Sequence, residues 1–297
     1  MLPRGMARTI SIIGAGRVGA TLGKRLRQLG WRVRAVVTRS EWTSRAAVRA
    51  IGGGTARSLL SADVLDADVI LLTTPDNALA EVARLLAKIG GRACRGKVIL
   101  HTSGALDRGM LDPLARLGAS TGSLHPMQTF SGRNMPRLEG VTFAVEGEAK
   151  ALRAAKRIAR SLGGAPVAIA SADKPVYHAT AVLAAGSGFA LIEAAVQMLV
   201  KIGFTRRRAF ETLLPLTRQM LDNVERLGPR AAWTGPLSRG DFAVIAKHVR
   251  ALRRYSREFQ ESYAALALLA GRVLAKNPDA TLRNLRRVLK KSKGDNR

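Results

Sequence analysis

The feature that most restricts the fold lies near the start of the chain. The apolar run Thr9–Ile13 meets Gly14-Ala15-Gly16-Arg17-Val18-Gly19, and a helical pattern begins at once. Gly14 permits a tight turn, Gly16 lets a ligand approach the backbone, and Gly19 lets the helix lie close to the strand. The helix start also presents unpaired N–H groups and the positive end of its dipole, a combination that favours phosphate. A glycine triplet of this kind is common by chance. Its weight here comes from the strand before it and the helix after it, at the first strand-to-helix turn of the chain.

The residues that follow keep alternating. Strand-like runs are expected at 31–37, 68–73, 97–101, 120–124, 141–145 and 166–170, and helical spacing at 17–29, 41–50, 76–88 and 148–162. The run at 68–73 is almost continuously apolar, as a strand covered on both faces should be. This alternation predicts an α/β fold, a Rossmann-type domain over residues 1–170 built on a parallel sheet with helices on both faces. After Ala170 strand-like runs cease. Long helical patterns at 173–202, 205–227 and 240–271 and a basic amphipathic tail at 282–293 predict an all-α second domain over residues 171–297.

Composition narrows the class. With 47% hydrophobic residues in 297 the chain can build two cores. The single cysteine, Cys94, allows neither an intramolecular disulfide nor a cysteine-based metal site, and a cytoplasmic setting is expected. Residues 177–200 have the length and apolarity of a membrane span, but His178, Ser187, Glu193 and Gln197 interrupt them. We expect a long buried helix of a soluble domain there. The net charge of +28 is compatible with nucleic acid or anionic substrates. Basic residues are spread along the whole chain, however, and aromatics make up only 4%, which weighs against nucleic acid.

The end of the second strand chooses between the two nicotinamide dinucleotides. It reads Thr38-Arg39-Ser40, with no carboxylate until Glu41. Arg39 and the two hydroxyls suit a 2′-phosphate, so NADP is the expected cofactor. Arg17 adds charge above the pyrophosphate, and Thr73-Thr74-Pro75 at the end of the next central strand is placed to line the cofactor, with Asp76 as a helix cap. Chemistry is expected one and two strands further on. His101-Thr102-Ser103-Gly104 and Leu124-His125-Pro126 end neighbouring strands. Hydride transfer at a carbon–oxygen or carbon–nitrogen bond needs a proton carrier, and among four histidines His125 is the best placed. Ser103 is a candidate for binding or orienting substrate, and His101 for a supporting role. Lys174 and His178, spaced i, i+4, share a helix face and are candidates to assist. Arg239 is a candidate either to hold a substrate carboxylate or to form a structural ion pair, His248 inside a helical pattern reads as structural, and Asp241 as a cap.

Residues 14–19, 101–106, 124–131, 177–181 and 234–241 together resemble a family of Rossmann-like proteins whose helical C-terminal half is a domain of unknown function. That family is distantly similar to pyrroline-5-carboxylate reductase, ketopantoate reductase and the 6-phosphogluconate dehydrogenase group. The resemblance implies an NADP-linked oxidoreductase that forms a homodimer through its helical domain and acts on a small molecule. The segment His125-Pro126-Met127 is also similar to one in prephenate and arogenate dehydrogenases, which implies a histidine at the reacting hydroxyl and, for Ser103, a substrate contact. The family usually carries an asparagine about eight residues after the helical histidine; here that position is Gly186. Two other functions fit the residues: an NADP-binding sensor or scaffold without turnover, and a nucleic-acid binder using the basic tail.

Overall fold

In the computed structural model, which describes residues 8–132 and 134–294, backbone contacts divide the chain into two compact units, Met1–Ser187 and Gly188–Arg297. The first unit is built on an eight-stranded sheet among the described residues. Its strands are β1 (Thr9–Ile13), β2 (Arg32–Val37), β3 (Thr55–Arg57), β4 (Val69–Leu72), β5 (Val98–His101), β6 (Ser120–Pro126), β7 (Thr142–Gly147) and β8 (Ala165–Ala168), and their order is β3-β2-β1-β4-β5-β6-β7-β8. Every residue of β1, β4 and β5 is buried, which is why these strands read as largely apolar runs, with Thr9 and Ser11 in β1 and His101 in β5 as buried polar exceptions. Helices α1 (Arg17–Gln28), α2 (Glu41–Ile51) and α5 (Ala149–Ser161) share one apolar layer with β1, β2 and β7. Helices α3 (Asp76–Gly90) and α4 (Asp112–Ala115) share the other with β4 and β5.

The sheet departs from the expected parallel arrangement at one end. β6 and β7 pair antiparallel, so β7 and β8 run against the other six strands. The physical reason is the connection. Among the described residues of 127–141 there is no helix, and without a crossover element the chain can only turn back beside the strand it has left. β3 was not foreseen. It has three residues, none of them fully buried, and lies at the sheet edge directly after Gly52-Gly53-Gly54.

The first unit runs on past the boundary expected at Ala170. It takes in α6 (Lys174–Ala181) and a wide π-helical turn, Val182–Gly186. Lys174 ties α6 to the sheet, since its ammonium is buried among strand ends.

The second unit is all helical: α7 (Ser187–Lys201), α8 (Arg206–Leu227), α9 (Pro229–Ala232), α10 (Phe242–Leu252), α11 (Arg257–Val273) and α12 (Pro278–Gly294). The helix expected over 240–271 is interrupted between α10 and α11, and Asp241 caps α10 by accepting from the Val244 N–H at 3.3 Å. Ile245, Ala267 and Leu285 form a small core between α10, α11 and α12. The tail is therefore docked through Leu282 and Leu285, with Arg283, Arg286 and Arg287 exposed; the side chains from Lys291 onward lie outside the described residues.

The expectation of a buried helix over 177–200 is corrected. Ser171–Lys201 is long and apolar enough to cross a membrane by length and composition, yet only 6% of its apolar window is buried within the chain. Its apolarity does not come from core packing.

Candidate functional site

The strand order reverses direction between β1 and β4, and ligands of open α/β sheets bind in the crevice outside the strand ends at such a point. Gly14 turns there with φ +87°, and its N–H donates to Val37 O at 2.8 Å. A Cβ on Gly14 would come within 2.7 Å of Thr74 N, and one on Gly19 within 2.3 Å of Thr73 Oγ1. Both glycines are thus required by the close passage of β4. Gly16 differs. The nearest atom to a Cβ there is Gly14 O at 3.9 Å, so this glycine faces open space at the start of α1. α1 has no side-chain cap and no acidic residue in its first turn, so the amides beside Arg17 and Val18 remain available to an anion.

Around this turn, Thr73 Oγ1 donates to Gly14 O at 2.7 Å and fastens β4 to it. The Thr74 hydroxyl is buried with no hydrogen-bond partner in the chain, an orphan that a ligand in the crevice would satisfy. Pro75, not Asp76, is the N-cap of α3. Asp76 instead accepts from Ser103 Oγ at 2.9 Å. At the end of β2 the Ser40 hydroxyl caps α2 and contacts Thr43, while Thr38 donates to Ser40 O at 3.1 Å. Arg39 between them is exposed. Arg17 is also exposed, with Nη1 3.5 Å from Phe130 O.

The ends of β5 and β6 and the start of α6 meet in a polar cluster. Gly104 is its centre, because a Cβ there would lie 2.5 Å from His178 Cδ2 and 2.8 Å from His125 Nε2. The two imidazoles flank bare backbone, their ring centroids 5.8 Å apart. His125 Nδ1 is 3.0 Å from Tyr177 Oη. Burial, then the charges of His178 and Lys174, hold His125 down at about 4, and burial raises Tyr177 to about 12. His125 is therefore neutral at neutral pH and Tyr177 keeps its proton.

Ser103 is less available than expected. Its hydroxyl donates to Asp76 and accepts from the N–H groups of Ala105 and Leu106 at 3.3 and 3.0 Å, and the residue is 8% exposed. His101 is fully buried, with Nδ1 accepting from Ser103 N at 3.2 Å and Nε2 3.1 Å from Asp107 O. Burial and the Lys174 charge depress it to about 3. Lys174 is fully buried and donates to Ser103 O at 3.0 Å and to Ser123 Oγ at 2.8 Å; burial lowers it to about 8 against the opposing pull of Glu146, Asp107 and Asp76.

Lys174, His178, His125 and Ser103 are thus brought together, as their motifs suggested. Tyr177, Ser123, Glu146 and Gly104 were not singled out. Glu146 did leave a signal, a carboxylate inside the strand sequence Thr-Phe-Ala-Val-Glu-Gly.

Comparison with known proteins places the chain in its class. Residues 4–126 match the Rossmann-like domain and residues 141–270 the domain of unknown function DUF2520. The chain joins a Rossmann-like domain to a DUF2520 domain. No curated protein matches it. Among solved structures it resembles a proposed NADP oxidoreductase from Bacteroides fragilis (24% identity, TM-score 0.72, 88% of this chain and 96% of that one). It also resembles a reductive aminase from Aspergillus terreus in complex with NADPH (18%, 0.67, 94% and 99%) and the NADP-bound pyrroline carboxylate reductase of Plasmodium falciparum (13%, 0.57, 96% and 98%). At these identities the likeness is one of fold.

Proposed function

We propose that this chain is an NADP-dependent oxidoreductase that moves a hydride between nicotinamide and a small, anionic carbonyl, imine or hydroxy-acid substrate. One observation carries the reading. The open glycine turn on β1 and the His125 cluster on β6 lie at the same carboxyl edge of one sheet, three strand spacings apart, about 14 Å. A dinucleotide laid along that edge spans the distance. The cofactors named for the Aspergillus and Plasmodium proteins support the same class.

Gly14, Gly16 and Gly19, with the amides of Arg17 and Val18, would hold the pyrophosphate. Thr38, Arg39 and Ser40 would meet the 2′-phosphate, and Thr73, Thr74 and Pro75 would line the path between. When bound, the cofactor supplies or accepts the hydride. His125 serves as proton carrier to the substrate oxygen or nitrogen. In the tautomer in which Tyr177 Oη donates to Nδ1, the imidazole proton is on Nε2, beside Gly104. His178 borders the same backbone from the other side. Lys174, behind the Ser103 carbonyl, contributes positive charge that favours an anionic substrate.

Arg39→Ala is the direct test. Losing a charged contact to the 2′-phosphate should weaken NADPH by about 1.5–3 kcal/mol, roughly 10- to 150-fold, and leave NADH unchanged in a fluorescence titration. Equal loss for both cofactors, or no NADPH binding by the parent protein, would refute the reading.

The reading includes a homodimer formed through the helical unit. Phe189, Ile202, Leu216, Leu221, Leu227 and Leu269 are 68%, 55%, 67%, 57%, 54% and 53% exposed in the single chain, large apolar side chains of the kind a subunit interface would cover. Light scattering after gel filtration should give twice the 31.8 kDa chain mass without detergent. A monomer, or a protein that needs detergent to stay in solution, counts against it.

A further inference from the structure

Lys174 has no solvent-exposed surface, and its ammonium has two partners: the Ser103 carbonyl and the Ser123 hydroxyl. The two are not equivalent. A carbonyl oxygen only accepts, whereas a hydroxyl accepts one proton while giving up its own. Ser123 Oγ donates onward to Glu146 Oε2 at 3.3 Å. Glu146 is 5% exposed, and its carboxylate also accepts from Arg108 N at 3.1 Å and Ser171 Oγ at 2.8 Å. Beyond it, Glu146, Arg108 and Ser171 line a cavity of about 210 Å³ beside β7 and β8. That cavity is open to water, since Ser171 is exposed and the Arg108 side chain is 43% exposed. A chain of hydrogen bonds therefore runs from the buried ammonium, across β6 and β7 along one face of the sheet, to solvent.

We propose that Ser123 and Glu146 form a proton path joining Lys174 to the solvent-filled cavity beside β7 and β8. In one passage an Nζ–H bond breaks and its proton joins Ser123 Oγ, while the hydroxyl's own proton moves to Glu146 Oε2. The products are a neutral amine, an unchanged hydroxyl and a neutral carboxylic acid. Glu146 then yields its proton to water in the cavity and the carboxylate is restored. The charged and titratable groups that face Lys174 are Glu146 on β7, Asp107 beyond β5, Asp76 on α3, His101 on β5 and His125 on β6. Both histidines are neutral near neutral pH, and the Asp76 carboxylate accepts from Ser103 Oγ. Among the described residues Ser123 is thus the one hydrogen-bond partner of Lys174 able to pass a proton on. The catalytic meaning rests on the oxidoreductase reading: the charge beside Ser103 can change while cofactor and substrate cover the crevice. Ser123 and Glu146 are positioning residues and touch neither.

The path is tested on the free full-length protein, so a failure to bind NADPH and a failure of the path are separate results. Lysine side chains are labelled with ¹⁵N, the Lys174 ammonium signal is assigned by its loss in Lys174→Arg, and its exchange with water is measured near pH 7. Ser123→Ala should slow that exchange at least tenfold, leave exposed lysines unaffected and keep the near-ultraviolet circular dichroism of the parent. Ser123→Thr, which retains a hydroxyl, should restore it. Glu146→Gln should slow it as well and lower the pH at which Lys174 titrates, because the carboxylate that favours the ammonium is gone. Unchanged exchange in a folded Ser123→Ala protein overturns the proposal. Should that variant fail to fold, unchanged exchange in Glu146→Gln does the same.

Discussion

Lowering the pH from 7 to 4 should remove about 6 kcal/mol of folding stability through two histidines, His101 and His125. Their ordinary value of 6.5 falls to about 3 and about 4 in the folded chain, burial being the main cause for each. As the pH drops through 6.5 the unfolded chain takes up two protons that the folded chain refuses until about 4 and 3. The unfolded state holds more protons throughout that window, so stability falls with pH. Above 6.5 both histidines are neutral in either state and the effect vanishes. At about 1.4 kcal/mol per pH unit, each contributes about 3 kcal/mol of loss at pH 4. The sum is comparable to the whole stability of an ordinary domain, about 5–15 kcal/mol, so the first unit should unfold near pH 4. Lys174 acts in a different window. Lowered from 10.5 to about 8, it lets stability rise as the pH climbs between those values. Denaturant melts at pH 7, 5.5 and 4 measure the acid limb. His101→Gln, whose amide can still donate to Asp107 O, should retain about half of the lost stability. A parent protein whose melt is flat between pH 6.5 and 4 would show that these histidines are not held neutral.

Substitution at either of two glycines of one turn should abolish NADPH binding, but only one of them should cost stability. At Gly19 a Cβ would lie 2.3 Å from Thr73 Oγ1 and 3.2 Å from both Gly14 O and Ile12 Cγ2. Thr73 cannot yield, because its hydroxyl is fixed to Gly14 O at 2.7 Å. Gly19→Val must therefore separate α1 from β4, with an expected loss of about 3 kcal/mol and no measurable NADPH binding. Gly16→Ala meets nothing closer than 3.9 Å. That variant should fold with a stability within about 1 kcal/mol of the parent and still lose the cofactor, because the methyl group fills the space a pyrophosphate would take. Thermal melts and NADPH titrations of both proteins separate the packing role from the ligand role. Parent-like affinity in Gly16→Ala would refute the ligand role of the turn.

Most of the first unit was legible because its strands are buried on both faces. β1, β4 and β5 appear as apolar runs with glycine, proline or polar residues at their ends, and α1 and α5 carry a clear helical stripe. β3 was illegible, since three half-exposed residues carry no periodicity. The reversal at β7 was missed for another reason: local pattern says that a strand exists but not which way it runs. In the site, the histidines and Lys174 were legible by their position at strand ends and a helix start. The engagement of Ser103 with Asp76 was not, because the contact joins residues 27 apart. Burial of the helix that follows Lys174 was misjudged because apolar composition does not say what covers it.

The wide turn at Val182–Gly186 has a consequence for spacing. In a regular α-helix two turns take about 7.2 residues, so the eighth residue after His178 would have drifted off its face. A π-helical turn absorbs the excess residue and returns position 186 to the same side as His178. Glycine occupies that position, and a Cβ there would meet only Val182 Cγ1 at 3.5 Å. The helix thus keeps the phase needed to aim a side chain beside the histidine while supplying none. What it leaves instead is open space, since among the described residues no other atom beyond the helix's own backbone and the two chain neighbours lies within 4 Å of a Cβ at that position.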